Sequence, residues 1–111
     1  MMETCNKLVR DKVPGLIDRD GRFCKFKIIE EDEKYLELLK EKLLEEAQEF
    51  VEDPSIEELV DVYEVIVALL AYSEIPLRDL FELAVRKRKY AGGYTARVFL
   101  EEVDVGDGKQ S

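Results

Sequence analysis

The sequence contains no histidine and no tryptophan. Without histidine there is no ordinary general base near neutral pH, no Ser-His-Asp arrangement and no His-containing zinc site. Chemistry, if the chain performs any, must rest on carboxylates or lysines. Cysteine is scarce too. Cys5 and Cys24 do not form a C-x-x-C pair, and no charged-then-apolar signal segment precedes them, so both read as small apolar residues of a protein in the reducing cytoplasm. Long hydrophobic runs are also missing. The longest apolar stretch, Leu59 to Tyr72, is interrupted by Asp61 and Glu64. It is shorter than the roughly 20 residues a bilayer span requires, so no membrane segment is expected.

Positive charge is in deficit, with 17 basic residues against 26 acidic ones and a formal net charge of -9. Such a balance repels a nucleic-acid backbone, and no nucleic-acid partner is expected. It suits a protein that collects divalent cations, although surface carboxylates also simply keep a domain soluble, so position in the fold has to decide. The chain has 111 residues, 46% of them hydrophobic. That is the length and composition of a single folded domain spanning residues 1–111.

Residues 1–14 read as a basic arm, ordered or in part a short strand, in which Lys7, Arg10 and Lys12 alternate with apolar Leu8 and Val9. Pro14 opens a short helix that Gly21 ends. The segment Arg22 to Ile29 alternates imperfectly and reads best as a strand, which could pair with the extended segment Arg97 to Val105 as a two-stranded ribbon. From Glu31 to Glu52 the apolar residues Leu36, Leu39, Leu43, Ala47 and Phe50 fall within roughly 80° of one another on a helical wheel, the mark of an amphipathic helix. Asp53-Pro54-Ser55 breaks it, and Ser55 with Glu58 forms a capping-box pattern that starts a second long helix, running to Glu74. This second helix is apolar nearly all round and is expected to be central. A third starts at Pro76, carries Leu77, Leu80, Phe81 and Ala84 on one face, and ends on the basic run Arg86 to Lys89 and the pair Gly92-Gly93. The expected fold is an all-α helical bundle built on an antiparallel helix hairpin, with the small ribbon beside it and a frayed tail over residues 106–111.

The first long helix contains Glu45-Glu46-Ala47-Gln48-Glu49 and the second contains Glu58-Leu59-Val60-Asp61. These are an E-E-x-x-E and an E-x-x-D separated by eight residues. Spacing of i to i+3 puts two side chains on one helix face about one turn apart, so two such pairs facing each other across a hairpin can surround a cation with oxygens. Glu46 falls inside the apolar arc between Tyr35 and Leu39, whereas Glu45 points away from it, and Glu58 and Asp61 bracket the direction of Val65. An unpaired carboxylate in such a place is costly, and a metal answers that cost. Either pair alone has a simpler explanation, Glu58 as the capping-box acid and Glu45, Glu46 and Glu49 as one solvated face. Hard oxygen ligands favour Mg²⁺ or Mn²⁺ over zinc. The basic residues Lys7, Arg10, Lys12, Arg86, Lys87 and Lys89 are candidates to neutralise a phosphate chain, although those near a helix C-terminus are stabilising without any ligand.

These motifs resemble the all-alpha nucleoside triphosphate pyrophosphohydrolases, often called MazG-like, a family that also includes phosphoribosyl-ATP pyrophosphohydrolase. The E-E-x-x-E and E-x-x-D pair is that family's mark. Asn6-Lys7-Leu8-Val9-Arg10-Asp11-Lys12-Val13-Pro14 is similar to the opening of a small single-domain branch, as are the stretch Lys87 to Lys89, the step Gly92-Gly93-Tyr94 and the tail Val98 to Val103. The resemblance covers residues 6–103 and runs through these separated motifs in order. It implies a helical homodimer or higher homo-oligomer in the cytoplasm, with Glu46, Glu49, Glu58 and Asp61 as magnesium ligands and Glu45 as a helper to the attacking water. It further implies a nucleoside triphosphate substrate held by Asn6, Lys7, Arg10, Lys12, Lys87 and Lys89. Tyr63, Tyr90 and Tyr94 are candidates to stack on a base, Tyr90 being counted with the substrate-binding residues, although each serves equally well as a packing residue. The implied reaction releases a nucleoside monophosphate and pyrophosphate. Hydrolysis of phosphoribosyl-ATP is the alternative within the family, and a non-catalytic helical oligomer that binds nucleotide or metal is the alternative outside enzymes. The gap of eight residues between the acidic motifs is short for the family, which leaves the breadth of the pocket open.

Overall fold

The computed structural model describes residues 2–106. Its architecture is all-α: helices α1 (Val13–Arg19), α2 (Asp32–Glu52), α3 (Ile56–Tyr72) and α4 (Leu77–Ala91). The chain divides into two compact units, Met1–Leu77 and Arg78–Ser111.

In the first unit, α1 has proline in its opening turn, where a missing N–H costs nothing and the fixed φ suits the helix. It stops at Gly21, whose φ of +80° is available to glycine without strain and whose N–H donates to the Asp18 carbonyl at 2.9 Å. Asp32 and Glu33 stand in the first turn of α2, where acids complement the helix dipole. At its other end Pro54 disfavours helical backbone at the residue before it, and Asp53 accordingly sits at φ -140°, ψ 82°. Ser55 then caps α3, its Oγ accepting from the Glu58 N–H at 3.3 Å. The capping box is not reciprocal, because the Ser55 N–H donates to the Asp53 carbonyl at 2.7 Å and leaves the Glu58 carboxylate free for another role.

So short a link turns the chain back on itself, and α2 packs along α3. Tyr35 near the start of α2 meets Tyr72 at the end of α3, with ring centroids 5.8 Å apart and planes tilted by 60°, which fixes the pair as antiparallel. Leu39 of α2 and Val65 of α3 are the buried apolar residues among those described. The expectation that α3 is covered on most sides is not met among the described residues: Leu59, Val60 and Tyr63 are each about half exposed, at 47, 49 and 48%.

In the second unit, α4 follows Pro76 and carries Arg88 and Lys89 in its last turn. Gly92, at φ +86°, ends it by donating its N–H to the Arg88 carbonyl at 2.7 Å. The apolar residues Leu77, Leu80 and Phe81 are exposed.

The expected ribbon does not form. Residues 22–31 and 98–105 are irregular, with no strand among the described residues. Apolar side chains fall on both faces of the first segment, Phe23 on one and Phe26 and Ile28 on the other, and all three are exposed, so neither face gains the burial that stabilises a marginal two-stranded pairing. Cys5 is exposed, Cys24 is half-buried, and both are free thiols, so only the second fits the reading of cysteine as an apolar packing residue. Of the expected frayed tail, residues 107–111 lie outside the described residues. No helix among the described residues is long and apolar enough to cross a membrane.

Candidate metal centre

The antiparallel hairpin brings the two acidic motifs face to face. One carboxylate oxygen from each of Glu46, Glu49, Glu58 and Asp61 lies within 4.8 Å of the others, two from α2 and two from α3. Opposite ligands of an octahedral magnesium ion stand about 4.2 Å apart and adjacent ones about 3 Å, so the four oxygens are near enough for side-chain rotation to bring them onto one small cation.

Glu46 is the most constrained of the four. It is only 8% exposed, the one charged residue buried among those described, because its place in the helix lies within the apolar stripe packed against α3. One oxygen, Oε1, lies 3.4 Å from the Lys42 ammonium. The other, Oε2, is buried without a hydrogen-bond partner, as is Oε2 of Glu58. Burial pushes the Glu46 carboxyl above its ordinary pKa; the Lys42 hydrogen bond opposes this, and the charge of Glu49 adds to it. Two orphaned carboxylate oxygens, one from each helix, are what a divalent cation with hard-ligand preference would satisfy.

Glu45, expected to point away from the apolar arc, is half-buried and held by two cations, Lys42 Nζ at 2.8 Å and Lys7 Nζ at 3.6 Å. The hydrogen bond from Lys42 holds its carboxyl below the usual range despite an opposing effect of burial. Lys42 itself has only 17% of its side chain exposed. Burial works against its charge, but the hydrogen bonds and negative charges of Glu45 and Glu46 outweigh it and raise its pKa. The sequence reading missed Lys42. Its spacing of i, i+3 to Glu45 and i, i+4 to Glu46 was the available signal.

The basic arm reaches the same place. Arg10 Nη2 donates to Asp61 Oδ1 at 2.7 Å, across 51 positions of sequence, while Lys7 pairs with Glu45. The structure therefore gathers Lys7 and Arg10 with the acids. Asn6 is exposed in the arm at a φ of 48°, and Lys12, also exposed, stands at the N-cap of α1, where its carbonyl accepts from the Leu16 N–H at 3.0 Å. Lys87, Lys89 and Tyr90 are exposed residues of α4, in the second unit, with Tyr90 92% exposed.

Among the described ion pairs none reaches Glu49 or Glu58. Internal cations thus account for Glu45, Asp61 and half of Glu46, but not for the whole cluster. Comparison of the chain with models of protein families, with curated proteins and with solved structures finds no match. What stands on geometry is an all-α chain with an acidic cluster that could hold a metal ion.

Proposed function

We propose that this chain is a magnesium-dependent nucleoside triphosphate pyrophosphohydrolase of the MazG-like kind, acting in the cytoplasm as a homodimer or higher homo-oligomer. The observation that carries the reading is the convergence of Glu46, Glu49, Glu58 and Asp61, with two of their oxygens buried and unpartnered. Order of motifs along the chain supports it as well, from the Asn6 to Pro14 opening to the Gly92-Gly93-Tyr94 step.

In this reading the four acids hold Mg²⁺, or Mn²⁺ in its place. A cation held there supplies charge neutralisation for phosphate oxygens and makes water acidic enough to attack phosphorus. Glu45, kept ionised by Lys42, accepts a hydrogen bond from the attacking water and helps to orient it. Lys7 and Arg10 transfer their charge from carboxylates to the phosphates, joined by Asn6 and Lys12 from the arm. The family resemblance also assigns substrate binding to Lys87, Lys89 and Tyr90. Water attacks the phosphorus next to the sugar, the bond to the bridging oxygen breaks, and a nucleoside monophosphate and pyrophosphate leave.

The ion pairs of Arg10 with Asp61 and Lys42 with Glu46 favour one competing reading, a scaffold in which the acids serve only as salt-bridge partners. Incubating the protein with a panel of nucleoside triphosphates and Mg²⁺ separates the two. Pyrophosphate release that disappears in Glu49→Ala and Asp61→Ala is expected, whereas release of orthophosphate alone would contradict the proposed bond.

A further inference from the structure

We infer that the basic arm is an internal counterion latch: with no phosphate bound, Arg10 on Asp61 and Lys7 on Glu45 hold the acidic cluster against divalent cations. This rests on the reading of the cluster as a cation site, which the buried, unpartnered oxygen of Glu46 supports independently of the arm.

The arm touches both helices of the hairpin, Lys7 reaching α2 and Arg10 reaching α3. It does so from a stretch with no regular secondary structure, so no backbone ladder holds residues 7 and 10 against the two helices. Asp61 is one of the four converging carboxylates, and its Oδ1 already carries the guanidinium at 2.7 Å. A cation entering the cluster would meet that positive charge directly, and even a well-screened unit charge beside a divalent one lowers affinity by roughly tenfold. The latch is light, however. The Lys7 and Arg10 side chains are 49 and 54% exposed, and ion pairs of that kind contribute little to stability. A phosphate chain offers the same two cations more negative charge in a geometry suited to a guanidinium, so it can draw them off the carboxylates. Cation retention is thereby coupled to the presence of an anionic phosphate ligand.

The test is a Mn²⁺ titration of the full chain without phosphate, with free Mn²⁺ followed by electron paramagnetic resonance, on the unaltered protein and on Arg10→Gln. The variant is expected to bind Mn²⁺ roughly tenfold more tightly. Equal or weaker binding by Arg10→Gln overturns the latch and leaves the cation site standing. Failure of both proteins to bind Mn²⁺ overturns the cation site and the latch together. A second measurement uses the unaltered protein only: the Arg10 side-chain N–H resonance in a ¹⁵N-labelled sample is expected to move as Mg²⁺ saturates the site. A resonance that stays in place while Mg²⁺ binds counts against the latch.

Discussion

Glu46 is a cost to the fold and, in the proposed function, a metal ligand. Its carboxyl is buried and half satisfied, so ionisation is disfavoured in the folded chain relative to the unfolded one. A folded-state pKa raised in this way means that the folded chain binds the proton more tightly. Stability from this group is then fully present below the ordinary carboxylate range and is lost as pH rises through the folded-state pKa. Glu45 has the opposite sign: held down by Lys42, it contributes stability above its ordinary range that is lost as pH falls through the folded-state pKa. Replacing Glu46 by its neutral isostere should isolate the first effect. In metal-free buffer Glu46→Gln is expected to raise Tm by a few degrees at pH 7, to leave it nearly unchanged at pH 4, and to abolish any rise in Tm on adding Mg²⁺. Thermal scans at the two pH values check this, and a Tm at pH 7 below that of the unaltered protein would mean that Lys42 fully satisfies the buried charge. The burial of Glu46 was readable from the sequence, because its wheel position falls inside the apolar arc. The role of Lys42 was not read, since lysine at an interior helix position is usually a solvated residue and only its contacts distinguish it.

At the scale of elements, the hairpin is what brings the four acids into one cluster. Their convergence depends on α2 and α3 keeping a single register, and within the described residues that register rests on Leu39, Val65 and the Tyr35–Tyr72 contact. Leu39→Ala is expected to cost roughly 2–5 kcal/mol in a urea denaturation series. Ser55→Ala, which removes the cap of α3 one turn from Glu58, is expected to cost about 1 kcal/mol. A Leu39→Ala loss smaller than that of Ser55→Ala would show that the hairpin is held by something other than this contact. These helices were legible because apolar spacing, the Asp53-Pro54 break and the Ser55 cap all point to the same boundaries. The ribbon misled because alternation and β-branched residues describe what a strand can be, while pairing depends on a covered face that neither segment has.

For the whole molecule, the exposed apolar side chains mark the difference between what the chain buries alone and what its composition could bury. Leu59, Val60 and Tyr63 of α3 and Phe81 of α4, the last 66% exposed, are costly to leave in water. The proposed homo-oligomer would cover part of this surface, and sedimentation equilibrium is expected to give at least twice the chain mass of 12.9 kDa. A single species at 12.9 kDa across the concentration range would remove the homo-oligomer from the proposal. The apolar pattern of α3 predicts a covered helix, whereas Leu59, Val60 and Tyr63 stand half exposed among the described residues, and nothing in a pattern says which chain supplies the cover.

The most direct measurement is anomalous diffraction from crystals of the protein grown with MnCl₂. A manganese peak is expected between α2 and α3, bonded to oxygens of Glu46, Glu49, Glu58 and Asp61 at about 2.1–2.3 Å. Crystals that take up manganese elsewhere, with Arg10 still seated on Asp61 and no peak among the four carboxylates, would contradict the claim that these acids form a cation site.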